Sequence, residues 1–188
     1  MNEQEMRKLY EKMMREKKIK SKFIIENLSH EGSKITWHVD ELIEIWNKLN
    51  KNEKCIAKYI NFALDTCHIF NSQLDVRGFF NVFDKEIGFK HLTCIHLNDA
   101  KEKYRDRHES LFNGFIGNKY GTYTNKSGKK VKFNGDPYIF CDIVDMIESY
   151  EIPMVIERND DKDDYQCIKD QIDALNNLRK GRKYGIYY

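Results

Sequence analysis

The sequence predicts an α/β fold organised around a parallel sheet, and two observations carry that expectation. Four short apolar runs alternate with four stretches of helical periodicity, so strand-then-helix units follow one another as parallel strands with crossover helices require. The apolar runs also close on polar side chains: Glu26, Asp65, His96 and Glu157 stand at or near the C-terminal ends of their strands. An open doubly wound sheet accommodates the alternation as well as a barrel does. In a (β/α)8 barrel, however, those strand ends converge on one face, which favours the barrel type. A complete barrel of that kind takes eight units and about 250 residues, so the chain reads as half of one, with a helix in front.

Taken in order, residues 1–22 form the first element. Met6, Leu9, Met13 and Met14 recur among charges without Gly or Pro, which predicts an N-terminal amphipathic helix. The half-barrel domain then spans 23–188. Phe23-Ile24-Ile25 reads as a buried strand ending at Glu26-Asn27, and Gly32 and Ser33 punctuate the loop behind it. Asp40 is placed to cap a helix whose Leu42, Ile45, Trp46 and Leu49 share one face, with Glu44 and Lys48 paired outside. Ile60 to Leu64 is the second strand, closing on Asp65, and a helix over Val76–Ile87 carries Phe79, Phe80 and Phe83 before Gly88 stops it. Leu92 to Leu97 is the third strand, followed by a long polar loop and a helix over Tyr138–Tyr150. Pro153 opens Met154-Val155-Ile156, a strand closing on Glu157, and Tyr165–Leu178 supplies the last helix. Within the long loop, 118–136 reads as an exposed hairpin-like insertion. Its Lys129, Lys130 and Lys132 beside Tyr120, Tyr123 and Phe133 could touch nucleic acid, and a solvated loop is the plainer reading.

Composition bounds the function classes. Hydrophobic residues make up 40% of the 188 and aromatics 13%, too many for a disordered chain, while a mean hydropathy of -0.73 is too polar for a membrane protein. No apolar run has the length of a membrane span and the N-terminus lacks a signal-peptide core, so an intracellular, by default cytoplasmic, protein without a membrane partner is expected. Thirty-two Lys and Arg against 30 Asp and Glu give +2, which by itself argues for no polyanionic partner. The five Cys are irregularly spaced with no CxxC pair, which indicates reduced thiols and neither a disulfide framework nor a Cys-based zinc finger.

The chemistry resides in His residues placed among carboxylates. Asp65-Thr66-Cys67-His68 sets a carboxylate at a strand end and an imidazole three residues on; His96 sits inside an apolar strand; Asp106 and His108 stand at i, i+2. In extended chain i and i+2 point the same way, so Asp106 and His108 can grip one cation. A carboxylate straight after three buried apolar residues, as at Glu26 and Glu157, is costly unless paired or metal-bound. Mixed N and O donors without thiolate suit Zn²⁺, Mn²⁺ or Fe²⁺. The bland alternatives are a hydrogen-bonded core His, a surface ion-pair cluster at Arg105–Glu109, and an unreactive Cys67 thiol.

The stretches IIEN (24–27), LDTCH (64–68), IHLNDAK (95–101), RDRHESLFNGFIG (105–117) and IPMVIERN (152–159) resemble, in the same order, the signatures of the endonuclease IV family of apurinic/apyrimidinic DNA-repair endonucleases. The xylose-isomerase-like sugar isomerases share that barrel and a metal site. The resemblance covers the C-terminal half of the family's barrel and implies a hydrolase that cuts the phosphodiester 5′ to an abasic site in DNA with zinc-bound hydroxide. It implies that Glu26, Asp65, His96 and Glu157 ligate one Zn²⁺, that His68, Asp106 and His108 ligate a second, and that Glu26 and Glu157 act in catalysis. Glu26 would also bridge to a third ion, whose site lacks two His ligands because the first four βα units have no counterpart; Mn²⁺ is an alternative metal. Arg107 would face the DNA backbone. A half barrel leaves two strand edges open, so a separate N-terminal half or a second copy is an expected partner, and a non-catalytic metal-binding half is the alternative reading. His30, four residues past Glu26, is a candidate replacement ligand or a plain solvent-facing loop residue.

Overall fold

A computed structural model describes residues 22–32, 34–52, 57–125, 127–157 and 165–183, with isolated positions 8 and 12. The helix expected over 1–22 therefore lies almost wholly outside the described residues. Along the chain run β1 (Phe23–Glu26), α1 (Val39–Asn52), β2 (Ile60–Asp65), α2 (Thr66–Asn71), α3 (Val76–Glu86), β3 (Leu92–His96), β4 (Asp99–Ala100) and β5 (His108–Glu109). After them come β6 (Gly121–Thr124), β7 (Lys130–Phe133), α4 (Tyr138–Ile147), β8 (Met154–Val155) and α5 (Tyr165–Lys183). β1, β2, β3 and β8 form one parallel sheet in sequence order, as the strand-helix alternation predicts for half of an α/β barrel. β4–β5 and β6–β7 are separate antiparallel pairs, the second being the hairpin expected within 118–136.

Helices cover the sheet through aromatic side chains at the spacing the sequence shows. Phe79, Phe80 and Phe83 of α3 are buried, and the Phe83 ring meets Phe62 of β2 edge-on at 5.5 Å. From α4, Phe140, Ile143 and Ile147 close the same core. Gly88 ends α3 with φ +96°, a backbone conformation that a side chain would strain.

Two expectations need correction. The cap of α1 is His38 and not Asp40: the Glu41 carboxylate accepts from the His38 N–H at 3.3 Å, and the Asp40 N–H donates to His38 Nδ1 at 3.2 Å. Asp40 lies two residues too far along, already inside the first turn. The first strand is not buried either, since Phe23 and Ile24 are 45% and 47% exposed. β1 pairs only with β2 among the described residues, so its outer side has no strand against it. The opposite edge behaves alike: β8 is shorter than expected, and its Met154 and Val155 are exposed. Among the described residues no helix is long and apolar enough to cross a membrane.

Candidate metal centre

Parallel pairing brings the strand ends together. Asp65 lies level with His96 across β2 and β3, Glu26 closes β1, and Glu157 follows β8 by two residues. Local turns add the rest. Asp65 is the N-cap of α2: its Oδ1 accepts from the His68 N–H at 3.0 Å, which brings that imidazole back over the strand end and lets Oδ2 face inward. The β4–β5 pair, with Ala100 opposite His108, folds the loop back so that His108 lands beside Asp65.

All seven predicted ligands meet in one cluster. His96 Nδ1 is 3.0 Å from Glu26 Oε1, 3.4 Å from Glu157 Oε1 and 3.8 Å from Asp65 Oδ2. His108 Nε2 is 3.5 Å from both Asp65 Oδ2 and Asp106 Oδ1, and its Nδ1 is 3.5 Å from Glu157 Oε2. His68 Nε2 is 3.0 Å from Asp106 Oδ1, and its Nδ1 is 3.8 Å from Glu26 Oε1. Asp65–His96–Glu157, His68–Asp106–His108 and Glu26–Asp65–His68 each draw ligand atoms within 4.8 Å of one another.

Whether these groups suit a cation is answered by their unspent atoms. His96 Nδ1 and both His108 nitrogens are buried and make no hydrogen bond, although carboxylate oxygens surround them. A buried polar atom without a partner is costly, and donors converging on a common space without bonding one another are what a bound cation resolves. His68 is oriented for the same purpose: its Nδ1 lies 2.8 Å from the Asn27 carbonyl, so Nδ1–H donates there and Nε2 turns to the cluster. Electrostatics show the crowding. Glu26 raises His96 and is itself lowered by it. Burial works against the His68 charge, yet Asp106 and Asp65 raise it to about 9. Burial pushes the Asp65 carboxyl up, against the pull of His68 and His108.

Three supporting residues escaped the sequence reading. Asn98, fully buried, donates to Asp65 Oδ2 at 2.8 Å and accepts from the Glu157 N–H at 2.8 Å, tying β2 to the chain after β8. Asn27 accepts from the Asp65 N–H at 2.7 Å. Asp99 accepts from the N–H groups of Ala100, Gly114, Ile116 and Gly117 at 2.8 to 3.1 Å, which shapes the loop behind His108. The available signal was an Asn just past two strand ends, in IIEN and HLND, where a buried amide must find partners.

Of the other candidates, Arg107 is over half exposed beside the cluster, with its Nε 3.8 Å from Glu102. His30 stacks on Trp37 with ring centroids 3.9 Å apart, and it joins none of the ligand groups among the described residues. Cys67 lies near Asp65 and His108, but burial, then Asp65 and Asp106, push its thiol far above the ordinary range, which suits neither a nucleophile nor a thiolate ligand.

A parallel α/β sheet carrying nitrogen and oxygen donors at its C-terminal strand ends defines a barrel-type protein with a candidate metal-binding face. Residues 3–121 match the family model described as xylose isomerase-like TIM barrel, and the chain belongs to that family, in its endonuclease IV group. It is similar to "Probable endonuclease 4" of Campylobacter curvus, 30% identical over 171 residues, covering 86% of this chain and 50% of that protein. It is also similar to "Putative endonuclease 4" of Acanthamoeba polyphaga mimivirus, 38% identical over 103 residues, 50% of this chain and 32% of that one. The crystal structure of endonuclease IV from Thermus thermophilus superposes with a TM-score of 0.56 at 16% identity, over 87% of this chain and 54% of that one, a likeness of fold. The chain thus spans half or less of the length of these curated relatives.

Proposed function

We propose that this chain supplies the metal-binding half of an endonuclease that hydrolyses the phosphodiester 5′ to an abasic site in DNA. The observation that carries the reading is the convergence of three His and four carboxylates on a space where buried imidazole nitrogens make no hydrogen bond. The names of the Campylobacter and mimivirus relatives support the reaction class. Zn²⁺, or Mn²⁺ on the same donors, would neutralise the anionic phosphodiester, lower the pKa of a bound water and stabilise the leaving oxygen.

The residues divide the work. Asp65, His96 and Glu157, with Glu26, would hold one ion, and His68, Asp106 and His108 a second. Glu26 Oε1 stands 3.0 Å from His96 and 3.8 Å from His68, between the two sets, where it would bridge toward a third ion. That third site needs two His ligands that no described residue of the cluster provides. Glu157, the most exposed carboxylate of the set, would share with Glu26 the holding of the attacking water. Arg107 would engage the DNA backbone from the rim.

A second reading is favoured by one observation. Ile24 on β1, and Met154 and Val155 on β8, are exposed apolar residues at the two edges against which no strand lies among the described residues, so the chain would pair with a separate N-terminal half or a second copy, its metal site structural. Cleavage of a duplex carrying one abasic analogue by the purified chain with Zn²⁺ separates the two. Incision above background that E157Q abolishes supports the enzyme; no metal-dependent incision by the chain alone leaves the assembling half as the better description. Metal content of about two Zn²⁺ per chain, read together with solution mass, is expected under both.

A further inference from the structure

The β6–β7 hairpin has two chemically different faces, and only one of them is used by the fold. Gly121 pairs with Phe133 and Tyr123 with Val131. The Phe133 ring stacks on Phe115 at 4.0 Å, and a Cβ at position 121 would sit 1.9 Å from the Phe133 ring, so this face is pressed onto the loop that follows His108. The alternate residues point the other way: Thr122 pairs with Lys132 and Thr124 with Lys130, all four exposed. Lys129 adds a third exposed ammonium at the turn. Among the described residues none of these three lysines has a carboxylate within 4.0 Å, whereas Lys48 and Lys85 elsewhere on the surface do.

Ammonium groups at i and i+2 on one strand face repel each other, and a face built that way without counter-charges is stabilised by an external polyanion. The turn of the hairpin is also internally hydrogen-bonded. Asn125 Oδ1 accepts from the N–H groups of Ser127 and Lys129 at 3.1 and 2.9 Å, and Gly128 closes the turn at φ +78°. Its base joins the metal face, because Lys103, on the loop that carries Asp106 and Arg107, lies with its Nζ 5.5 Å from the Phe115 ring on which Phe133 stacks. Lys103 thus stands between the loop that carries Asp106 and the base of the hairpin. The partner this fits is a nucleic-acid backbone, whose phosphates repeat at spacings a lysine-bearing strand can follow.

We infer that Lys129, Lys130 and Lys132 form a sequence-independent contact for duplex DNA phosphates, outside the metal cluster. The inference rests on DNA being the substrate, as proposed above, and its test is separable from incision. Binding of the full chain to an undamaged fluorescent duplex of about 20 base pairs is measured in EDTA across a salt series, comparing the parent with a K129Q/K130Q/K132Q variant. The variant should bind on the order of tenfold more weakly at low salt, and its log K against log salt slope should fall by about 2 to 3, since each phosphate contact contributes ~0.9. Replacement of all three by Arg should restore both values, which a misfolded hairpin would not do. Unchanged affinity and slope in the Gln variant overturn the inference, as does a loss confined to phosphatidylserine vesicles with duplex binding retained. Because no abasic site and no metal enter the assay, absence of incision leaves it standing, and its failure leaves the E157Q result intact.

Discussion

Asn98 shows how a neutral residue can govern a charged site. Its amide spans from Asp65 to Glu157, so one fully buried side chain ties the end of β2 to the chain after β8, where two of the candidate ligands stand. Asn98→Ala is expected to lower Zn²⁺ affinity by about 10- to 100-fold, read by chelator competition, and to lower stability by about 1–3 kcal/mol, read by thermal melting in EDTA. An unchanged zinc affinity would show that Asp65 and Glu157 hold their places without it. Gly114 is a second such point. A Cβ there would stand 2.4 Å from the Ala100 carbonyl and 2.5 Å from Asp99 Oδ1, so Gly114→Ala should break the loop's grip on Asp99 and cost about 1–3 kcal/mol. The relevant comparison is Gly128→Ala, where the added methyl meets no neighbour and only the positive φ is penalised.

At the scale of elements, ion pairs on the outer layer join α3, α4 and α5. Arg77 of α3 holds Asp136 at 2.7 Å and also Asp142 of α4, Arg182 of α5 reaches the same Asp142, and Arg179 binds Asp145 at 2.6 Å and Glu148 at 3.0 Å. Burial works against the Asp142 charge, but the guanidinium groups of Arg182 and Arg77 outweigh it and hold its carboxyl below the ordinary value. A depressed folded-state pKa contributes stability above the unfolded pKa, near 3.9, and loses it as pH falls through the lower value. Asp142→Asn should therefore destabilise by about 1–3 kcal/mol at pH 7, with the difference from the parent shrinking below pH 4. Equal differences in urea titrations at pH 7 and pH 3 would contradict that. The helices α1, α3, α4 and α5 were legible from their periodicity, whereas the short α2 was not, and the α1 cap was misread only because His, rarely a cap, stands two positions ahead of Asp40. Burial of β1 was misread for a different reason: an apolar triplet reports what a strand offers to a neighbour and not whether the neighbour is there.

For the molecule as a whole, the sheet edges dominate, since among the described residues no strand lies outside β1 or β8. A parallel sheet is stable when both of its faces are covered and its edges are paired or blunted, and here both edges expose apolar side chains. The chain by itself should self-associate, with a solution mass above 22.5 kDa, and Ile24→Lys should shift it toward the monomer while circular dichroism stays unchanged. A monomer at tens of micromolar for the parent chain would remove the case for a pairing edge.

Part of the candidate site was readable before any fold, because Glu26, Asp65 and Glu157 each close an apolar run, where an ionisable group must be neutralised by something. Residue types, their strand-end positions and the strand-helix order are local properties, and they suffice to specify the four-strand parallel sheet, the hairpin and the candidate ligands. Which candidate ligands share a space is not a local property and emerges only on folding. The pairing of Asp65 with His96 level across two strands, the return of His108 through β4–β5, and the amide of Asn98 across 59 residues depend on sheet register and loop closure, and register is settled by the packing of the entire sheet.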